Sequence, residues 1–285
     1  MDNSATVLCI SNWKGGVGKS TIATTMAISL SRKGYKVLCI DLDPSNSLTS
    51  ALGGSLAQKQ TKSIYDVLTA EAFDEASGQY VLDAALQSLG EVDLIGSGEM
   101  LAHAEQSLAG PNRLFELADV LSDNQRDGTG KSLREKYDFI VLDTPPEPGV
   151  LVYNAYMASD DIIIPTLCEE LAVSRMVRTI QEIKEIQASP RFNPSLRIAG
   201  VIANRFDRNK KVQNYHLGRI RELEKQGVVP VFNATIRASV VVEDAQTLNK
   251  NIFDYGHRRK EGLIGDYAAF VSEYLRLNES KSEVR

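Results

Sequence analysis

The sequence predicts an α/β fold: a doubly wound, mostly parallel sheet with helices on both faces. Short apolar, β-branched runs recur along the chain with helical patterns between most of them, and each run is near-continuously apolar rather than alternating. Strands read that way when helices cover both faces, because neither row of side chains meets water. The chain has 285 residues with 43% hydrophobic content, enough to bury one large core without disulfides, so residues 1–277 are expected to form a single domain. Residues 278–285 are charged and lack apolar anchors, which predicts a flexible tail.

The strand runs are Thr6 to Ser11, Lys36 to Asp41, Val92 to Gly96, Phe139 to Asp143, Asp161 to Leu167 and Arg197 to Asn204. A helix-period segment from Lys19 to Lys33, stopped at Gly34, joins the first two into a βαβ unit. Leu121 to Arg134 is polar and Gly-bearing and reads as a surface excursion before the next buried strand. No internal repeat and no low-complexity block interrupts the pattern.

Composition narrows the function classes. Cys9, Cys39 and Cys168 lie in apolar runs, which suits small buried hydrophobes in a reducing compartment better than a disulfide framework or a metal cage, so the chain reads as cytoplasmic. The amino terminus lacks a basic segment followed by a long apolar core, and no stretch approaches the roughly 18 apolar residues of a spanning helix. Secretion and membrane insertion are therefore not expected. A formal net charge of −5 gives no whole-molecule attraction to nucleic acid, so such binding would need a local basic face.

The first strand leads directly into WKGGVGKST, Trp13 to Thr21, and then into an apolar helix. Gly15, Gly16 and Gly18 let the backbone turn tightly and approach an anion. The amides from Val17 to Thr21 then point at phosphates, Lys19 reaches β and γ oxygens, and Ser20 offers its hydroxyl to Mg²⁺. The general pattern GxxxxGK[ST] wants glycine where this chain has Trp13, and it carries an additional lysine, Lys14, inside the loop. Lys14 stands too early to duplicate Lys19, and its charge has a reason to lie there if it meets phosphate oxygens, those of a neighbouring subunit among them.

The second run ends in Asp41 and Asp43, at the sheet edge where ligands of open α/β sheets gather. Asp43 could orient a water for in-line attack on the γ-phosphate and Asp41 could support Mg²⁺ through its water shell. Both could equally cap the next helix, with Pro44 in its first turn. The fourth run delivers Asp143 toward a metal shell, followed by Thr144, Pro145 and Pro146, which stiffen a loop able to respond to the γ-phosphate. Asn204 ends another strand, where its amide could meet an adenine edge or serve only a turn.

KGGVGKS, Lys14 to Ser20, resembles the deviant Walker A loop of the ParA/MinD family of P-loop NTPases. DLDP at Asp41 to Pro44 is similar to its second signature, DTPP at Asp143 to Pro146 to its third, and Ser47 and Thr49 match its first switch. The resemblance runs from Val7 to about Leu275 and is weakest from Leu101 to Arg134. It implies an ATPase with ATP and Mg²⁺ as cofactors, an in-subunit role for Lys19, and a homodimer in the ATP state across which Lys14 reaches the partner's nucleotide. It also implies adenine contact by Asn204 and a second base-contacting segment in which Arg237, Glu243 and Ala245 fall in matching places. DNA-carrying members often show a Pro before this arginine and an arginine three residues later, where this chain has Ile236 and Val240.

Branches of the family can be eliminated. A nitrogenase iron-protein type needs paired interface cysteines, which the three separated cysteines do not supply. A MinD-type membrane switch needs a basic amphipathic end, whereas this chain ends with mixed charge. A partition ATPase remains, implying weak intrinsic hydrolysis stimulated by a ParB-like centromere-binding partner, and nonspecific double-stranded DNA binding that makes it nucleoid-associated in the ATP state. The chain starts close to the phosphate loop, so no amino-terminal helix-turn-helix is expected. Candidate DNA contacts are Arg205, Arg208, Lys210, Lys211, Arg219 and Arg221 along one segment, and Arg258, Arg259 and Lys260 further on. The alternatives are an ATP-dependent factor that positions a protein cargo, and a biosynthetic ligase or kinase, which would require a small-molecule pocket.

Overall fold

The computed structural model describes residues 4–57, 62–75, 78–108, 110, 112–124, 129–256 and 260–282. Its main sheet has eight strands: β1 Thr6–Ile10, β2 Val37–Asp41, β3 Leu86–Ser88, β4 Asp93–Ile95, β5 Phe139–Asp143, β6 Asp161–Leu167, β7 Arg197–Phe206 and β8 Val231–Arg237. They lie in the order β8-β7-β6-β1-β5-β2-β4-β3. All neighbours run parallel except β3 with β4. The longer helices are α1 Lys19–Ser31, α2 Ser47–Ala57, α3 Glu116–Ser122, α4 Val150–Ala158, α5 Glu170–Ala188, α6 Lys211–Lys225, α7 Val240–Thr247 and α8 Lys260–Ser282.

Successive strand residues feed two cores. Val7, Cys9, Leu38, Ile40, Ile140 and Leu142 pack on the face covered by α3, α4, α5 and α6. Leu8, Ile10, Val37, Cys39 and Val141 pack on the face covered by α1, α7 and α8. Both faces are buried, which is why the strand runs carry no alternation. Helix α1 touches the sheet as well as α2 and α8, so it is buried on nearly every side, Lys19, Thr24 and Thr25 included, rather than along one stripe.

At the amino edge of the sheet, Asp161 is fully buried and takes a bidentate pair from Arg197 at 2.8 and 2.7 Å and the Tyr274 hydroxyl at 3.0 Å. This ties β6, β7 and α8 together on the side away from the phosphate loop. The outer strand β8 leaves amides free on its open side, and α8 closes them. Glu273 accepts the N–H groups of Asn233 and Ala234 at 2.8 and 3.0 Å, and Asp266 accepts that of Arg237 at 3.0 Å. Carboxylates on an edge deter pairing with another chain.

The structure adds strands that the apolar runs did not reveal. β8 carries polar residues on its open side, β3 is short, and a separate two-stranded hairpin joins Phe73–Asp74 to Gln79–Tyr80. The polar excursion is shorter than expected. α3 covers its start, and Leu133 is buried in a short helix begun by a reciprocal cap between Ser132 and Glu135. α8 continues to Ser282, into the stretch whose charge predicted a flexible tail. The three cysteines are free and buried, as their apolar settings implied.

Candidate functional site

The carboxyl ends of β1, β2, β5, β7 and β8 bring the sequence-predicted residues to one edge of the sheet. Between β1 and α1 the loop turns through Gly16 (φ 74°) and Gly18 (φ 90°), left-handed conformations that favour glycine. Such a turn aims successive amides at one point, and the free N–H groups of α1 add to them. Lys19 is the first residue of α1 and is 6% exposed. Its ammonium donates to the Lys14 carbonyl at 3.4 Å, folded back over the loop. Burial pushes its pKa down, opposed by the nearby Asp143 and Asp43 carboxylates.

Asp41 and Asp143 stand side by side, in register at the ends of the adjacent strands β2 and β5. Their environments differ. Asp41 accepts the Thr49 N–H and hydroxyl at 2.8 and 2.7 Å, and the Asp43 N–H at 3.1 Å. It thus anchors the start of α2, while burial pushes its carboxyl up to about 6 against those bonds. Asp143 is fully buried and neither of its oxygens meets a hydrogen-bond partner. Burial and the Asp41 charge raise its pKa, while the Ser20 hydroxyl, close by but short of a well-formed hydrogen bond, and the Lys19 charge favour its ionised form. A buried carboxylate with open lone pairs suits a hydrated cation, whereas one already satisfied by three donors suits a cap. Asp43 is 8% exposed and accepts the Ser45 N–H at 2.8 Å. The helix these carboxylates precede begins at Ser47, so Pro44 lies before its first turn.

Thr144 donates to the Ile10 carbonyl at 3.0 Å, tying the start of the Pro145–Pro146 loop to the base of the phosphate loop. Glu105 accepts the Val150 N–H at the start of α4, holding the other end. Sequence reasoning did not find Glu105, which lies in the region least like the expected pattern. Nor did it find Glu169, whose carboxylate meets the Lys14 ammonium at 3.4 Å. No local signal marks a contact between residues so far apart in the chain.

Asn204, 4% exposed, donates to the Val17 carbonyl at 2.7 Å and accepts the Arg205 N–H at 2.9 Å. Arg237 ends β8, but its guanidinium is held by Asp266 in a bidentate pair at 2.6 and 2.8 Å. The two line a cleft of about 600 Å³ with Phe206, Asp207 and Arg208. Glu243 pairs with Arg205 at 2.6 Å, and Gln246 reaches Thr21 at 3.0 Å, so α7 is braced against both β7 and α1. Ala245 is buried.

The basic residues expected to face DNA are divided. Arg205 is paired with Glu243 and Arg219 with Glu170, so their charge is partly spent. Arg208, Lys210, Lys211 and Arg221 are exposed, and Lys260 donates to the Phe253 carbonyl at 3.0 Å. Arg258 and Arg259 lie outside the described residues. No described helix is long and apolar enough to cross a membrane, and no metal-holding cluster of His, Cys, Asp and Glu occurs among the described residues.

Known proteins resemble this chain over most of its length. The family model AAA_31, described as an AAA domain, matches residues 5–198. The chromosome partitioning protein ParA of Caulobacter vibrioides is 31% identical over 89% of this chain and 88% of its own length. A Borrelia burgdorferi plasmid partition protein solved with AMPPNP superposes with a TM-score of 0.73 at 27% identity, covering 95% of this chain and 99% of that one. Cobyrinic acid a,c-diamide synthase of Mycobacterium smegmatis, solved with ADP and magnesium, gives 0.75 at 26% identity, covering 97% and 96%.

Proposed function

The chain belongs to the ParA/MinD family of P-loop partition ATPases, and from that premise we propose that it is a nucleotide-switched DNA segregation ATPase, its residues 1–277 working as one domain. In this reading it binds ATP with Mg²⁺, pairs as a homodimer around two nucleotides, holds nonspecific double-stranded DNA in that state, and hydrolyses ATP slowly until a ParB-like partner accelerates the reaction. The observation that carries the reading is the Lys19 loop beside Asp143, a buried carboxylate with both oxygens open.

The residues fit the group they would hold. The Ser20 hydroxyl and Asp143 would bind magnesium, with Asp41 behind them, and the ion would neutralise phosphate charge. Backbone amides from Gly15 to Thr21 and the Lys19 ammonium cradle the phosphates. Asp43 orients the attacking water, and Lys14 leaves Glu169 to meet the partner's nucleotide. The loops bearing Asn204 and Arg237 take the base end. Exposed Arg208, Lys210 and Lys211 offer phosphate contacts.

Cosedimentation with an arbitrary duplex, in Mg²⁺ with ATP, ADP or no nucleotide and over a range of salt, tests the DNA arm. Retention confined to ATP and weakened by salt is expected. ATP-dependent dimers that ignore DNA in every condition would refute that arm and favour positioning of a protein cargo, a reading supported by the ion pairs that already occupy Arg205 and Arg219.

A further inference from the structure

Helix α4 begins without a cap of its own. Its first turn holds no acidic residue, and the residue before it, Gly149, has no side chain to offer the free N–H groups. One of those groups, that of Val150, is met instead by the exposed Glu105 carboxylate, 45 residues earlier in the chain. The aligned peptide dipoles favour an anion at that end of a helix. Gly149 itself is extended (φ 177°, ψ −176°), so its backbone does not demand glycine. A Cβ built there would lie 2.5 Å from the Glu105 Oε1 atom, and the missing side chain is what lets the carboxylate approach.

Glu105 stands at one end of a tie between the two loops that would meet the γ-phosphate. It belongs to a short helix, Ala104–Ser107, fastened to the core by the buried Leu101, Ala104 and Leu108. This segment follows β4, and where it leaves the strand the Ser97 N–H donates to the Thr49 hydroxyl oxygen at 3.0 Å. Thr49 in turn holds Asp41. Residues 97–105 therefore run from the Asp41–Asp43 turn to the start of α4, where the Pro145–Pro146 loop ends. That loop is pinned at its other end by Thr144 on the Ile10 carbonyl. Between its ends Pro146 lies beside the phosphate loop, its Cβ 3.9 Å from one built on Gly15. Pro145, Pro146 and Pro148 stiffen it, so a push from the phosphate side is carried to Gly149 and Val150, where Glu105 holds it.

We propose that Glu105 is a positioning residue for ATP hydrolysis: by holding the start of α4 it sets the Asp143–Gly149 loop against the phosphate loop, and with Ser97 on Thr49 it makes the two loops move together. The proposal rests on the reading of this edge as an ATPase site. Because Glu105 acts through α4, its loss spares the cradle for the α and β phosphates and falls on the step that needs the γ-phosphate.

The test is single-turnover hydrolysis of radiolabelled ATP in Mg²⁺, with affinities for fluorescent ADP and for a nonhydrolysable ATP analogue, on wild type, Glu105→Gln, Glu105→Ala, Gly149→Ala and the Glu105→Ala, Gly149→Ala double variant. Circular dichroism establishes that each is folded. Loss of one charge-assisted hydrogen bond predicts hydrolysis on the order of 10-fold slower at saturating ATP in Glu105→Ala, with ADP affinity within about twofold of wild type. Glu105→Gln keeps an acceptor oxygen and should retain most of the rate. Gly149→Ala should slow hydrolysis in the wild-type background and change little in Glu105→Ala, where the carboxylate it displaces is gone. Unchanged hydrolysis in Glu105→Ala, equal weakening of ADP and the ATP analogue, or additive losses in the cycle would each overturn the proposal. A wild-type chain that bound no ADP or left ATP intact would instead refute the ATPase reading on which it stands.

Discussion

Replacing Lys14 by alanine tests whose phosphates the early lysine serves. In the single chain its ammonium meets Glu169 at 3.4 Å, with the lysine side chain 19% and the glutamate 55% exposed. A long, partly solvated pair of this kind contributes about 0–1 kcal/mol, so Lys14→Ala should move the monomer's thermal midpoint by no more than about 2 °C. Lys19 and the glycines are untouched, so ATP binding to the monomer should persist. A cation supplied across an interface to a transferring phosphoryl group accelerates hydrolysis by about 10³–10⁵, so turnover should fall by at least about 1000-fold. The decisive assay mixes Lys14→Ala with Asp43→Ala, each inactive alone. If Lys14 acts in trans, the Lys14→Ala subunit of a mixed dimer keeps its own Asp43 and receives Lys14 from its partner. Random pairing makes about half the dimers mixed with one working site each, so activity should recover to about a quarter of wild type. Absence of recovery in demonstrably mixed dimers would refute the cross-subunit assignment.

Other consequences follow from contacts away from the phosphates. Asn154 is fully buried, accepting the Leu117 N–H at 3.0 Å and donating to the carbonyls of Arg113 and Val150 at 2.7 and 2.9 Å. Asn154→Leu strands those groups, and a urea melt should show a loss of about 3 kcal/mol. Glu273→Ala uncovers the Asn233 and Ala234 amides on the edge strand, so light scattering should show concentration-dependent association alongside a stability loss of about 1 kcal/mol. Asp41, raised from 3.8 to about 6 in the folded chain, keeps a proton that the unfolded chain releases. Its contribution is therefore fully present below the lower value and is lost as pH rises through about 6, with a slope of up to about 1.4 kcal/mol per pH unit. Chemical melts of the nucleotide-free protein between pH 4 and 7 should show this decline, and Asp41→Asn should flatten it.

Much of the fold was legible because the central strands are buried on both faces. Thr6–Ile10, Phe139–Asp143 and Asp161–Leu167 carry that burial in their composition, and parallel pairing follows from the helices between them. β8 escaped notice because half of its surface faces solvent and α8, where Asn233 and Thr235 belong, and because its open amides are satisfied by carboxylates distant in sequence. Within the site, the glycines and Lys19 announced themselves through spacing alone, since a phosphate loop is a local structure whose geometry is encoded by adjacent residues. Asp41 and Asp143 could be read as acidic strand ends, yet nothing local distinguished the capped carboxylate from the open one.

The sequence by itself determined the six buried parallel strands and the helices between most of them, a tight glycine turn in the phosphate loop, and the arrival of Asp41, Asp143 and Asn204 at the carboxyl edge of a parallel sheet, because each depends on local conformational preference and on burial. Only the tertiary structure decided which partners these groups meet: Thr49 for Asp41, no hydrogen-bond partner for Asp143, Glu169 for Lys14 and the Val17 carbonyl for Asn204. The physical reason is that hydrogen bonds and charge pairing are settled by distances of a few ångströms between segments that the chain brings together only when the sheet has closed around its core.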